Sequence, residues 1–189
     1  AFQIARSPEK PITEQIQILK GCLQNSGREM FLIDRAADKS HADFYRNLKM
    51  GQSIRIPELS RMRPAARLLA VRVRLQRAEN NMAAALEDIR KIGIIGHHAG
   101  ENSGLMNSLV QVAVQEVGID ALDRFIQDNA SNAEALAAAR KAGSAFTERV
   151  DAGQTLSAET ASTLISFEEI KAAPDLESLE SFRRFSSHP

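Results

Sequence analysis

Several chemistries are excluded by what the chain contains little of. It has one cysteine, Cys22, which excludes an internal disulfide and any metal site built from several cysteines. It has no tryptophan and only 5% aromatic residues, a composition that favours a helical class over a β-sheet class. Lysine plus arginine (24) equals aspartate plus glutamate (24), so no net charge attracts nucleic acid or an anionic membrane. No apolar run approaches the roughly 20 residues that cross a bilayer. We therefore expect a soluble helical domain, and 189 residues are enough for a substantial core.

Motifs of catalysis and cofactor binding are missing as well. No serine lies in a nucleophile-elbow motif, and no glycine pattern matches a phosphate-binding loop. The one cluster of histidine with a carboxylate is His97, His98 and Glu101, and it lacks a third ligand on the face that His97 and Glu101 would share in a helix. We predict that both histidines lie on the surface at a helix C-terminus, where histidine interacts favourably with the helix dipole. No catalytic residue, metal site or cofactor is predicted, and the chain is not expected to be an enzyme.

The apolar residues that are present concentrate in residues 64–127 at helical spacing. In residues 82–96 they form one stripe, with charged residues on the opposite face. The arm that precedes this stripe is apolar over much of its circumference, which predicts cover on more than one side. Asn80-Asn81 suits a turn between the two arms, because Asn tolerates left-handed backbone geometry and caps helix starts. The pattern predicts a helical hairpin with two residues buried between its arms, Leu86 and Ile89.

Three features of this hairpin agree with a known repeat. Asn80-Asn81 stands at its turn, Ala85 is a small residue of its second helix, and Ile89 is a large apolar residue four positions later. On these residues, the segment 69–92 resembles one tetratricopeptide-type repeat, a helix-turn-helix unit whose turn is Gly-Asp or Gly-Asn. Three positions in or just after the segment depart from the family. Met82 replaces the usual aromatic residue, Ile92 replaces a second small residue, and His97 replaces a closing proline.

The resemblance implies a fold and a role. A weaker echo of the repeat runs from Ala121 to Phe125, with no recognisable turn before it. Stacked repeats of this kind form an α-solenoid of antiparallel helical hairpins, whose concave surface binds partners. The resemblance therefore implies an all-α fold with another protein or a peptide as partner, and an irregular helical bundle is the alternative architecture. The run through Val117 is also similar to uncharacterised helical proteins of bacterial envelopes.

No linker long enough to separate two domains is present, so we predict one helical domain over residues 1–189. The segment Arg28–Ala37 is interpreted as a helix, although a short buried strand would show the same pattern. The predicted parts are an extended arm (1–10), N-terminal helices (11–56), the central hairpin core (57–127) and C-terminal helices (131–185).

Local signals predict further boundaries and leave three questions open. A helix cap is predicted at Ser40, a capping box at Ser131 with Glu134, and a turn at Ala152-Gly153-Gln154. The first arm either begins near Pro64 or bends there within a helix from Glu58. Gly93 and Gly96 mark either a fraying helix end or a close contact between helices. The segment Gly118–Asp120 either breaks a helix or bends it.

Charge is distributed unevenly along the chain. Seven arginines fall in residues 55–77, with Glu58 the only acid among them. On a helical wheel four of them share one side: Arg63, Arg67, Arg74 and Arg77. We predict that this side pairs internally with later acidic residues, and the alternative is a binding surface for an acidic peptide, a phosphate or, least favoured, nucleic acid. The later acids are Glu159, Glu168, Glu169, Asp175, Glu177 and Glu180.

Three classes of function stay open. A non-catalytic protein-interaction or scaffold domain is favoured, a small-ligand-binding or regulatory helical domain comes second, and an enzyme with an unrecognised site comes third. No nucleic-acid partner and no membrane insertion are predicted. If a secretion signal or anchor was removed from the chain, we expect the protein in the bacterial envelope or periplasm. If none was removed, we expect it in the cytoplasm. The partner, the process and the oligomeric state are not predicted.

Overall fold

The structure is a computed structural model that describes residues 13–44, 57–101, 104–147 and 152–172. Within these ranges the chain forms seven α-helices and one short 3-10 helix and contains no strand, which confirms the all-α prediction. None of the described helices is both long and apolar enough to span a membrane. The predicted arm (1–10) and the last part of the predicted C-terminal helices (173–185) lie outside the described residues. The helices are α1 (Thr13–Asn25), α2 (Gly27–Ala37), α3 (Leu59–Ala78), α4 (Met82–Gly100), α5 (Leu105–Asp128), α6 (Ala133–Gly143), the 3-10 helix (Ser144–Phe146) and α7 (Ala152–Ala172).

The predicted hairpin is formed by α3 and α4. At its turn Asn80 adopts a left-handed backbone conformation with φ 59°, which Asn tolerates better than most residues. The Asn81 side chain then caps α4 by accepting a hydrogen bond from the Ala84 amide at 3.3 Å. Because α3 begins at Leu59 and continues through Pro64, the first arm does not start at that proline.

Two predicted helix starts are wrong. The N-cap of α6 is Asn132, not Ser131: its backbone is extended and its side chain accepts from the Ala135 amide at 3.1 Å. Ser and Asn are equally good caps, so the local sequence does not decide between adjacent candidates. Residues 41–44 are not helical either. The Ser40 hydroxyl lies 3.1 Å from the His41 ring, and the Ala42 amide donates to the Glu101 carboxylate instead of entering a helix.

The turn predicted at Ala152-Gly153-Gln154 is instead the first turn of α7. Tertiary contacts outweigh the poor helix propensity of glycine here. The Thr155 hydroxyl hydrogen-bonds Ser108 at 2.9 Å, and Glu159 accepts from the Leu105 amide at 2.7 Å. Both bonds join the first half of α7 to the N-terminal end of α5.

The core is centred on α4, which contacts α2, α3, α5, α6 and the 3-10 helix. One apolar cluster lies between α2, α3, α4 and α5, and a second lies between α3, α4, α5 and α6. Leu86 and Ile89 are both buried members of the second cluster, which confirms their predicted burial. Phe146, from the 3-10 helix, packs against both clusters. The largest members are Met30, Ile33, Leu69, Ile92, Ile95 and Val114 in the first, and Val73, Leu86, Ile89 and Phe125 in the second.

Glycines set the distance between α4 and its neighbours. A Cβ atom built at Gly93 would lie 2.7 Å from the Ala145 Cβ, and one at Gly96 would lie 3.1 Å from the Gln115 Cγ. Both glycines are inside α4, so they mark close contacts and not a fraying end. Gly118 is equally confined, between the Phe146 ring and the Ile92 Cγ2 atom, and α5 runs through it without a break.

A charged cluster fastens α2, α3 and α4 together. The Arg72 guanidinium on α3 makes two hydrogen bonds to Asp34 on α2 (2.9 and 2.7 Å) and two to the buried Asp88 on α4, one of them at 2.7 Å. Lys91 on α4 adds a bond to Asp34 at 2.8 Å. Such two-pronged pairs match the planar geometry of guanidinium and carboxylate.

This cluster changes the acidity of its members. The bonds from Arg72 lower the pKa of Asp34 to about 2 from its ordinary 3.8; burial opposes the shift, and Lys91 adds to it. Burial alone would lower the pKa of Arg72, but the two carboxylates outweigh burial and raise it. The charged forms of Asp34 and Arg72 are therefore the ones that the fold favours.

We expect opposite effects from two glycine-to-alanine substitutions. Gly21→Ala in α1 adds a Cβ that meets nothing within 4 Å, so the better helix propensity of alanine should stabilise the protein by about 0.5–1 kcal/mol. Gly118→Ala gains the same propensity but must displace the Phe146 ring, and overpacking typically costs about 1–3 kcal/mol. Urea unfolding of both variants checks this. Equal stabilisation by the two alanines would contradict the close contact at Gly118.

The charged cluster predicts a specific acid sensitivity. Because the pKa of Asp34 is lower in the folded protein than in the unfolded chain, its contribution to stability is complete above the unfolded pKa of 3.8. That contribution is lost as pH falls through the folded value of about 2. We expect Asp34→Asn to be less stable than wild type at pH 7. From about pH 5 to about pH 2 it should lose less additional stability than wild type, because it lacks the carboxylate that becomes protonated in this range.

Unfolding curves at several pH values measure this difference. Asp43→Asn, which removes an exposed carboxylate elsewhere, is the matched control. An Asp34→Asn variant whose pH profile runs parallel to that of wild type would show that the cluster does not contribute to acid sensitivity.

Candidate functional site

The four arginines of the predicted binding side all lie on α3, but in different environments. Arg63 is exposed and Arg67 is half-buried. Arg74 is only 3% exposed, and burial lowers its pKa, with the nearby charges of Arg77 and Arg124 acting in the same direction. Arg77 donates to the Asp128 carboxylate and, at 3.3 Å, to the Arg124 carbonyl. The structure therefore places Arg63 and Arg67 toward solvent and Arg74 and Arg77 against α5.

Internal pairing occurs among the described residues, whereas four of the predicted acidic partners lie outside the side chains that the structure describes: Glu169, Asp175, Glu177 and Glu180. Arg72 pairs with Asp34 and Asp88, and Arg77 pairs with Asp128. Glu159, one of the predicted C-terminal partners, instead accepts the Leu105 amide at the start of α5. Binding of an acidic partner by the side that Arg63, Arg67, Arg74 and Arg77 share stays a prediction.

The histidine cluster closes the C-terminal end of α4. His97 Nε2 lies 3.1 Å from one oxygen of Glu101, and His98 Nδ1 lies 3.4 Å from the other. The same carboxylate accepts the Ala42 amide, so it joins the segment after α2 to the end of α4. The two imidazole rings stand 6.0 Å apart, centre to centre.

The prediction that both histidines lie on the surface is wrong for His98. Its side chain is 3% exposed, because α4 continues into the interior to Gly100 instead of ending at the surface. Neither ring nitrogen of His98 has a hydrogen-bond partner in the structure, and the 3.4 Å approach to Glu101 lacks hydrogen-bond geometry. A buried imidazole in this state is costly unless another group satisfies it.

A cavity of about 350 Å³ adjoins this cluster. It opens to the surface, since several of its lining residues are exposed. Its wall comes from the segment after α2, from α4 and from the 3-10 helix: Lys39, Ser40, Ile94, His97, His98, Ser144, Ala145 and Thr147. In the described part of the chain, no group of three or more His, Cys, Asp or Glu side chains is arranged to hold a metal ion.

A second candidate surface is the solvent-facing side of α5, which the sequence analysis did not single out. Five apolar residues and two exposed acids follow one another here at alternating steps of four and three residues, and we call this row the outer stripe. Its apolar side chains are each 38% to 54% exposed. The apolar members are Leu105, Leu109, Val112, Ile119 and Ile126, and the acids are Glu116 and Asp123.

The signal for the outer stripe was present in the sequence. α5 carries two interleaved patterns of the same spacing, and the inner one is buried: Asn107, Gln111, Val114, Gly118, Ala121 and Phe125. The inner stripe contains Asn, Gln and Gly, whereas most of the outer stripe is aliphatic. Hydrophobicity alone therefore does not identify which side faces the core.

No family model, no curated protein and no solved structure matches this chain.

The arginine environments predict separable effects on stability. Reversing the charge of the exposed Arg63 should change the free energy of unfolding little, since an exposed charge contributes about 0–1 kcal/mol. Arg77→Glu should destabilise more, because it sets a carboxylate against Asp128 on α5. Adding Asp128→Arg to Arg77→Glu should restore part of the loss, which a double-mutant cycle measures in urea unfolding. A coupling energy near zero would mean that the Arg77–Asp128 pair does not hold α3 to α5.

Proposed function

We propose that the protein is a non-catalytic interaction domain that binds a basic amphipathic helix of a partner protein along the outer stripe of α5. The observation that carries the proposal is the outer stripe itself: five aliphatic side chains in line on one helix, each 38% to 54% exposed. Aligned exposed apolar residues of this kind mark interaction surfaces, whereas single exposed leucines need no explanation.

The geometry of the stripe fits a helical partner. Spacing of alternating four and three residues is the seam that one helix presents to another in a coiled-coil contact. From Leu105 to Ile126 the stripe is about 30 Å long at 1.5 Å per residue. α7, which contacts the N-terminal end of α5, exposes further apolar residues: Leu156, Leu164 and Phe167.

The charges of the stripe specify the partner further. Both ionisable residues on it, Glu116 and Asp123, are acidic and exposed. A partner helix with lysine or arginine opposite them would gain complementary pairs, which select the partner and its register. Pairing of two copies of this stripe is disfavoured, because a parallel arrangement sets each acid against its own copy. An antiparallel arrangement centred on the stripe again brings the two Glu116 side chains together.

The rest of the fold supports this role by keeping α5 rigid. Its inner stripe is buried against α3 and α4, and Asn107 donates from its side chain to the Ala99 carbonyl at 2.7 Å. A stripe held on a rigid helix needs little ordering on binding, and this lowers the entropic cost of association. The resemblance of the α3–α4 hairpin to a tetratricopeptide-type repeat points to the same class of function.

The test uses three synthetic amphipathic helices with one apolar seam and with Lys, Gln or Glu at the positions opposite the two acids. We expect the Lys helix to bind wild type and the Glu helix to bind at least about tenfold more weakly, a difference of about 1.4 kcal/mol. The double variant Glu116→Lys/Asp123→Lys should reverse this order. Fluorescence anisotropy measures the three affinities for both proteins.

Two controls separate binding from folding. Val112→Glu/Ile119→Glu should abolish binding with little change in stability, because both side chains are about half exposed. Asp38→Lys/Glu134→Lys reverses two exposed acids away from the stripe and should leave binding unchanged. Equal affinity for the Lys and Glu helices, no binding of any of them, or dimerisation of the protein through the stripe would each refute the proposal.

A further inference from the structure

The cavity beside α4 is separate from the outer stripe and has a polar wall that the interaction function does not use. Three of its lining side chains can carry or share a positive charge: Lys39, His97 and His98. None of its described lining residues is acidic. A volume of about 350 Å³ lies at the lower end of the range for small-molecule sites.

His98 is the group that points to a ligand. It is 97% buried and lines the cavity, yet both of its ring nitrogens lack a hydrogen-bond partner. Buried polar groups are nearly always satisfied by the protein, by water or by a bound molecule. Both ring nitrogens are shielded from solvent, but the residue lines the cavity, so a group that enters the cavity can satisfy one of them after a small rotation of the ring.

Glu101 lies beside this imidazole but does not satisfy it with a hydrogen bond. The carboxylate is already engaged by the Ala42 amide and by His97, and it lies 3.4 Å from His98 Nδ1. An imidazole carries at least one ring N–H, so His98 has a hydrogen bond to donate to an oxygen atom of a ligand. Lys39 supplies a full positive charge at the wall of the same cavity.

The field of the helices acts in the opposite direction. α2 ends at Ala37, α4 ends at Gly100 and the 3-10 helix ends at Phe146, all close in sequence to the lining residues. Helix C-termini carry a partial negative charge of about half a unit each, which disfavours an anion. The full positive charge of Lys39 at contact distance outweighs the partial charge of any one of these helix ends, and the His98 ring adds a hydrogen-bond donor.

We infer that this cavity binds a small molecule that bears a carboxylate or phosphate group, with His98 and Lys39 as its contacts. The remaining wall is mixed: Ile94 and Ala145 are apolar, and the hydroxyls of Ser144 and Thr147 already donate to main-chain carbonyls at 2.8 and 2.7 Å. Those hydroxyl oxygens can still accept, so the rest of the ligand carries hydrogen-bond donors.

The inference is tested by NMR titration of the whole protein with inorganic phosphate and, separately, with succinate. The imidazole C–H resonances are followed during each titration. We expect one saturable site with shifts centred on His97 and His98. The tighter of the two probes identifies the acidic group.

Variants give the matched comparison. Lys39→Gln should weaken binding at least tenfold, and Lys141→Gln, which removes an exposed charge that does not line the cavity, should leave it unchanged. His98→Asn should abolish binding; because this buried substitution can also reduce stability, the exposed Lys39 variant makes the test independent of folding.

Three results would overturn the inference: no saturable shift with either anion, equal loss of affinity in the Lys39 and Lys141 variants, or binding of putrescine in place of the anions. The last would mean that the helix ends, and not Lys39 and His98, determine the charge of the ligand. Val112→Glu/Ile119→Glu should leave the titration unchanged, so failure here and failure of helix binding are distinguishable.

Discussion

Close contact between α4 and its neighbours is the constraint on which the rest of the structure depends. Gly93 leaves room for Ala145, Gly96 for the Gln115 side chain, and Gly118 for the Phe146 ring. These contacts bring α4, α5 and the 3-10 helix together, and Phe146 of the 3-10 helix packs against both apolar clusters. A protein interior is close-packed, so a single added methyl group at such a position must displace a neighbour.

Both candidate sites follow from that constraint. Because α4 stays tightly packed up to Gly100, its C-terminal turn is carried into the protein, and His98 is buried beside a cavity instead of facing solvent. Because α5 presents its inner stripe, with the small Gly118 and Ala121, to α4, its larger aliphatic residues are left on the outside. The same packing that completes the core therefore produces an apolar outer surface.

The sequence predicted helices better than it predicted which residues face the core. Strong periodicity identified the α3–α4 hairpin, its Asn80-Asn81 turn and the burial of Leu86 and Ile89. The apolar spacing in α5 predicts a buried face that is wrong for Met106 and Leu109, which are exposed, and correct for Val114. The two stripes of α5 have the same spacing, and the inner one contains Asn107 and Gln111, so apolar character does not identify the buried side.

Local signals also failed where long-range contacts decide. The burial of His98 depends on how far α4 enters the fold, and the pairing of Arg77 with Asp128 depends on the placement of α5 beside α3. α7 begins at Ala152 because Thr155 and Glu159 bond to α5, which no local pattern in residues 152–154 indicates.

The Arg72 cluster has a consequence for how the protein opens. The Arg72 guanidinium bonds carboxylates on two other helices. If α2 separates from α3 while Arg72 stays bonded to Asp88, Asp34 must give up its bonds to Arg72 and to Lys91. Detachment of α2 alone would leave a partly buried guanidinium with half of its partners, a state that is costly in free energy. In amide hydrogen exchange, α2 should therefore open together with the hairpin as one cooperative unit and not fray from it as a peripheral element.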